Sequence, residues 1–277
     1  SGNSSGIITI SGQSSIGSKL DPLGAYYVEV TSNTNGFVGN RFDVNVASTI
    51  SANNATIVLD GVNVRNTRTD VATLSLTGDS IVLRKHVTFD QIRASITNQN
   101  GLVGNDDSAA NADTLYLYRG AGFVAYWLGA DKVSWFTGDD PDDHRYDVIA
   151  PGQGILFRKK GSTPATLVST GSVRNNDYIS VLAQGYQLSS PGFPVSYTPV
   201  QLGGTLASRA NPGGSLENSQ ILTYSGAGFA ANTLLADGNW DNGVDPDPVN
   251  DITLVNGDNA FMTKLGAKFV GKETKPY

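Results

Sequence analysis

The chain has 277 residues, with 19 Lys and Arg against 25 Asp and Glu and a sequence pI of about 4.8, which excludes the basic footprint a nucleic-acid binder needs. Cys is absent and His occurs twice, so disulfides, Cys nucleophiles and Cys/His metal clusters are excluded. With 32 Gly, 23 Asn and three Glu, and no apolar run of ~18 residues, the composition argues for β structure and against a mostly helical fold or insertion by a membrane helix.

Short period-two or β-branched runs, punctuated by Gly, Asn and Asp, follow one another along the chain. The first, Ile7-Ile8-Thr9-Ile10, is an island in the Ser/Gly-rich residues 1–23, read as an arm that adds a strand to the open sheet edge of a neighbouring subunit. Residues 24–74 predict a strand pair: Tyr26 to Thr31 alternates, Arg41 to Ala47 puts Phe42, Val44 and Val46 on one face, and Thr56 to Asp60 follows. Ser80 to Arg84 predicts a strand, and Thr88 to Ile96 alone has helical spacing, with Thr88 as N-cap. Strands are then predicted over Thr114 to Tyr118, Phe123 to Leu128, Gly154 to Arg158, Thr166 to Thr170 and Tyr178 to Ala183. Further strands fall over Gln220 to Tyr224, Phe229 to Leu235, Asn259 to Lys264 and Lys268 to Val270. The pattern predicts an all-β fold of sandwich or jelly-roll type.

An internal repeat organises the second half. TLYLYRGAGFVAYWL (114–128) and QILTYSGAGFAANTL (220–234) match at an offset of 106. After a one-residue deletion Trp135 pairs with Trp240, Gly138-x-Asp140-Pro141-Asp142 with Gly243-x-Asp245-Pro246-Asp247, and Gly152, Lys159 and Gly161 with Gly257, Lys264 and Gly266. The similarity of Asp79-Ser80-Ile81 to Asp177-Tyr178-Ile179 carries each copy upstream, giving tandem β units at 75–172 and 173–270 and a tail at 271–277. A duplicated unit without a catalytic set points to structure or binding, and no enzyme activity is expected.

Gly120-x-Gly122-x-x-Ala125 has the form of a dinucleotide fingerprint, but FVAYWL follows it as a strand where that motif needs a helix, so the segment reads as a hairpin. His86 and His144 are the only imidazoles, and nothing near them selects a nucleophile. The acidic loops carry Asp139, Asp140, Asp142 and Asp143 in the first copy and Asp237, Asn239, Asp241, Asp245 and Asp247 in the second. Such hard-oxygen clusters on bent backbone suit calcium. The second departs from an EF-hand loop at Asn242 and Pro248. The structural alternative is a pair of Asp-rich turns whose carboxylates cap their own backbone. Trp135 and Trp240 adjoin these loops, either as an exposed sugar-stacking platform or as core residues of each unit.

YYVEVTS (26–32), RFDVNV (41–46), GDSIVLRKH (78–86) and APGQGILFRKKG (150–161) resemble segments of a group of uncharacterised secreted proteins abundant in Verrucomicrobia and related bacteria. The resemblance covers about residues 24–170. Lys85 departs from it, standing where the family tends to have Pro. It implies export and a β fold but no activity, since none is known for the family. Absent Cys and a first residue of Ser1 are read in the same direction. The expected function is a structural subunit of an extracellular or cell-surface filament, tube or layer: a homopolymer joined by its arms and stiffened by calcium. The alternative is a secreted carbohydrate-binding module or adhesin using Trp135 and Trp240.

Overall fold

Alternation in the segment from Tyr26 to Ser32 builds the first sheet of the computed structural model, which describes residues 3–4, 6–32, 38–60, 76–119, 122–138, 140–168, 178–182, 185–189, 199, 219–224, 228–243, 261–265 and 269–273. The N-terminal body has strands β1 (Asn3–Ser4), β2 (Ile7–Thr9), β3 (Tyr26–Ser32), β4 (Arg41–Asp43), β5 (Thr56–Val58) and β6 (Ser80–Lys85), with helix α1 (Val46–Ala52) before β5. β3 is the central strand of a sheet ordered β4-β3-β6, and β2 is the central strand of a second, ordered β1-β2-β5. Val28, Val30 and Phe42 face the buried Ile8, Ile57, Leu59 and Leu76, and together they form one apolar core.

The opposite face of β4-β3-β6 is charged and buried. Glu29 is fully buried and accepts from Arg84 Nε at 2.8 Å, while Arg41, its cross-strand partner, is almost wholly enclosed. His86, just past β6, places Nε2 2.8 Å from Asp43 Oδ1 and its ring 4.7 Å from that of Tyr27. Two acids and two arginines balance in charge there, which offsets part of the desolvation cost.

Within one chain Ile7 stands opposite Val58, Ile8 opposite Ile57 and Thr9 opposite Thr56, and Ile10 N donates to Ala55 O. Ile8 fills the core, and burying such a side chain stabilises by about 1.5–3 kcal/mol. The strand expected from Arg41 to Ala47 stops at Asp43, apart from a bridge at Val44, because Asn45 caps α1 by accepting from Ser48 N at 3.0 Å. Asn53 then ends that helix in the left-handed region, φ 40°. Finally, β6 pairs along its length with β3, so residues 80–85 belong to the N-terminal sheet.

β7 (Val87–Thr88) leads into α2 (Phe89–Ala94), the helix its spacing predicts. Thr88 accepts from Gln91 N, and the Gln91 side chain accepts in turn from Thr88 N, a capping box. Next come β8 (Thr114–Tyr118), β9 (Phe123–Leu128), β10 (Trp135–Thr137), β11 (Val148–Ile149) and β12 (Leu156–Arg158). β7 pairs with β11, and the others form a sheet ordered β10-β9-β8-β12. Leu115, Leu117, Tyr126, Leu128 and Trp135 pack from this sheet against Phe89 and Ile96 around α2. The remaining strands are β13 (Tyr178–Leu182), β14 (Gly185–Ser189), β15 (Gln220–Tyr224), β16 (Phe229–Leu234), β17 (Trp240–Asp241), β18 (Phe261–Leu265) and β19 (Phe269–Glu273). They pair as β14-β18-β15-β16-β17 and β13-β19, which brings residues 269–273, expected partly as tail, into a ladder. Every described ladder is antiparallel and helices are few, so the chain is all-β. No described helix is long and apolar enough to cross a membrane.

The sequence repeat is a repeat of register. Leu115 pairs with Tyr126 and Leu117 with Val124 in one copy; Ile221 pairs with Asn232 and Thr223 with Ala230 in the other. The one-residue deletion falls in the turn before each Trp, where Lys132 (φ 57°) and Gly238 (φ 91°) occupy the same left-handed position. The ladder corrects one sequence match. Arg158 sits opposite Thr114 and Lys264 opposite Gln220, so the counterpart of Lys264 is Arg158 and that of Lys159 is Leu265.

This correction exposes a paired difference. Asp113 is fully buried and its carboxylate accepts from Val103 N (3.0 Å), Lys160 N (2.6 Å) and Lys159 Nζ (3.0 Å). Its carbonyl accepts from Leu128 N, just as that of Ser219 accepts from Leu234 N. The second copy thus has Ser and Leu where the first has a buried ion pair. Lys159→Ala leaves a buried carboxylate without its cation and is expected to cost about 3–5 kcal/mol in urea unfolding. The double variant Asp113→Ser/Lys159→Leu, which copies the second unit, is expected to recover part of that loss; a cost equal to or above the single variant's would reject the equivalence. Lys132→Gly removes a non-glycine left-handed residue and is expected to raise stability by up to about 1 kcal/mol, read as a higher Tm.

Candidate functional site

The hairpin β8–β9 sorts its residues by parity. Leu115 and Leu117 point into the core, and Tyr116, Tyr118 and Phe123 lie on the other face. Tyr118 and Phe123 are the closing pair, with ring centroids 5.2 Å apart at 82°, and Tyr116 lies 6.4 Å from Phe123. The Arg158 guanidinium covers Tyr116 at 5.7 Å and is held by Thr114 Oγ1 at 3.0 Å. In the second copy Tyr224 and Phe229 close the hairpin, again 5.2 Å apart. Phe123 is 39% exposed and Tyr224 47%. Gly120 and Ala121, and the turn residues 225–227, lie outside the described residues. A strand follows Gly122, which leaves no helix N-terminus there for a pyrophosphate.

Trp135 and Trp240, read from sequence as either a stacking platform or core residues, are interior. Trp135 is 1% exposed and Trp240 2%, opposite Leu128 and Leu234 in their ladders, and Trp135 stacks near Phe89 at 5.6 Å. A sugar cannot reach faces enclosed in this way. The exposed aromatics at the hairpin ends were missed, although the signal was present: tyrosines alternating with core leucines up to a Gly-rich turn.

The acidic loops close on themselves. Asp140 accepts from Asp142 N at 3.0 Å, and Asp143 accepts from Trp135 N at 3.0 Å and from the Arg145 backbone and guanidinium. Arg145 also reaches Ser134 Oγ, whose hydroxyl donates to Asp131 at 2.7 Å. His144 lies between Asp147, 2.9 Å from Nδ1, and Asp140, 3.4 Å from Nε2. In the second loop Asp237 accepts from Asn239 N at 2.9 Å and Asp241 from Gly243 N at 2.7 Å. Asp139, Asp245 and Asp247 lie outside the described residues. Among the described residues no group of three or more His, Asp or Glu is placed to hold a metal ion. The geometry is that of Asp-capped turns.

Burial acts to raise the pKa of Asp143, but the Trp135 amide and the Arg145 contacts outweigh it and hold the carboxyl below its ordinary range. Asp131 is likewise pushed up by burial and held down, in net, by Ser134, Val133 and Arg145. The Asp143 hydrogen bond pushes Arg145 the other way, up. The other imidazole, His86, is deep in the N-terminal body with Asp43 on Nε2 and no described partner on Nδ1. No described hydroxyl stands on that nitrogen to form a triad.

Comparison with protein-family models, with curated proteins and with solved structures finds no match.

All three tryptophans are interior, Trp127 being 8% exposed, so iodide is expected to quench the native fluorescence weakly and Trp135→Ala to cost about 3–5 kcal/mol. Strong iodide quenching of the folded protein would return the platform to the surface. The lowered carboxyls stabilise the fold above their unfolded range near pH ~4, and that contribution is lost as pH falls through the folded values. Asp143→Asn is therefore expected to lose less stability than the parent between pH 7 and pH ~2, measured by urea midpoints; an unchanged pH dependence would remove Asp143 from the acid response.

Proposed function

We propose that the protein is a structural subunit of an extracellular filament, tube or surface layer, and that its partners are further copies of itself. The observation that carries this reading is the aromatic pair at the end of each duplicated hairpin, one ring exposed and the other half-buried in each. Tyr118 with Phe123 and Tyr224 with Phe229 sit at equivalent positions, whereas the buried ion pair of the first copy has no equivalent in the second. Duplication supplies one subunit with two similar contact surfaces, and where each meets its like on another copy the assembly stays open-ended. Covering the part of one such ring that remains exposed, 39% for Phe123 and 47% for Tyr224, stabilises a contact by about 1 kcal/mol before the costs of association. Calcium enters this reading as a stiffener of the acidic loops, through Asp139, Asp140, Asp142 and Asp143 in the first and Asp237, Asn239, Asp241, Asp245 and Asp247 in the second. A chelator should then lower Tm, and an equal Tm with and without it removes the ion.

The second reading, carbohydrate binding or adhesion, draws support from the same exposed rings, since aromatic faces stack on sugars. Concentrated protein viewed by negative-stain microscopy separates the two. Polymers that disappear in Phe123→Ser/Tyr224→Ser, with Tm lowered by no more than the loss of two cross-strand pairs, are the expected result. Discrete particles from the parent protein, with glycan binding abolished by the same variant, would replace the first reading by the second.

A further inference from the structure

The N-terminal strand sits in a slot that an identical strand fills equally well. β2 lies between β1 and β5, with Ile8 fully enclosed and Ile7 39% exposed on the outer face. Gly6 O accepts from Leu59 N at 2.6 Å and Ile10 N donates to Ala55 O at 2.8 Å, so the strand is clamped at both ends. Beyond it, residues 11–14 are exposed, with Gly12 in the left-handed region at φ 77°. The chain then returns at once, because Ile16 N donates to Asn54 O at 3.0 Å, next to the carbonyl that holds Ile10. Residues 11–15 are therefore a closed loop whose two ends stand at adjacent carbonyls. Straightened, five residues reach ~17 Å. That is enough to carry β2 out of its own slot and into that of a subunit packed alongside.

We infer that β2 exchanges between copies of this chain: Ile7–Ile10 of one subunit occupies the β5 edge of the next, in the register it holds within its own chain. The inference rests on the self-assembly reading and adds a second contact between subunits, beside the aromatic hairpin ends. Every interaction of the strand is the same in the closed and exchanged forms; only the conformation of residues 11–15 differs. Exchange is therefore decided by local subunit concentration and by the conformational preference of the short return loop.

The absence of cysteine makes the test clean. Ile7 and Val58 are directly opposite, and antiparallel partners stand about 4.5–5.5 Å apart at Cα, within reach of a disulfide. Full-length Ile7→Cys and Val58→Cys chains are mixed, refolded together at high concentration, oxidised and run on a non-reducing gel. A covalent heterodimer at roughly ten-fold the yield given by a Gly12→Cys collision control supports exchange. In parallel, the double variant Ile7→Cys/Val58→Cys reports where the strand lies. Closure at monomer mass with no heterodimer in the mixture overturns exchange, and failure of both to close overturns the strand's position and the inference with it. Polymers by microscopy without the heterodimer leave the assembly reading standing and reject this joint. Heterodimers without polymers support exchange and reject the filament.

Discussion

The register of the β8–β9 hairpin is the constraint on which the second half of the molecule depends. Because side chains alternate, the pairing of Leu117 with Val124 sends Leu115, Leu117, Tyr126 and Leu128 to the core and leaves Tyr118 with Phe123 on the other face. A slip of one residue would exchange the two sets, burying tyrosine hydroxyls and exposing leucines. The second copy holds the same register with a different inner set, including the buried Asn232, and it too leaves an aromatic pair at its end. The core tryptophans follow from the same constraint, since each pairs with the last inward leucine of its hairpin.

Charge is handled in two ways in this molecule. At Asp113 a single buried carboxylate gathers two amides and one lysine, joining residue 103 to residues 159 and 160 across β8. Such a knot stabilises only while complete, and the second copy does without it by carrying Ser219 and Leu265. On β4-β3-β6 the acids and arginines instead form a layer, with Glu29 between Arg41 and Arg84 and with Asp43 on His86. The acidic turns belong with Asp113 in kind. Asp143 and Asp131 spend their oxygens on nearby amides and on hydroxyl and guanidinium groups, which accounts for their lowered protonation range.

Much of the fold was legible. The N-cap at Thr88, the alternation of Tyr26 to Thr31 and the duplicated hairpins are local signals, and each is present as expected. The misses come from partners distant in sequence. Trp135 reads alike as platform or core until Leu128 and Phe89 are placed beside it. The strand ending at Asp43 was overrun because the apolar alternation continues through Val46, while the Asn45 cap, a competing local signal, turns the chain into α1. Likewise the match of Lys159 to Lys264 followed residue identity, and only ladder partners show that the counterpart is Arg158.

The amino-acid sequence by itself determined that the chain is β-built, acidic and without thiol chemistry, and that one hairpin-and-loop unit occurs twice, because composition and period-two alternation are properties of short stretches. Tertiary structure decided which residues meet water. It enclosed Trp135 and Trp240, left Phe123 and Tyr224 outside, folded Ile8 into its own core and gave the loop aspartates to backbone amides. Exposure and pairing depend on what lies across the sheet, and that neighbour is set by contacts tens of residues away.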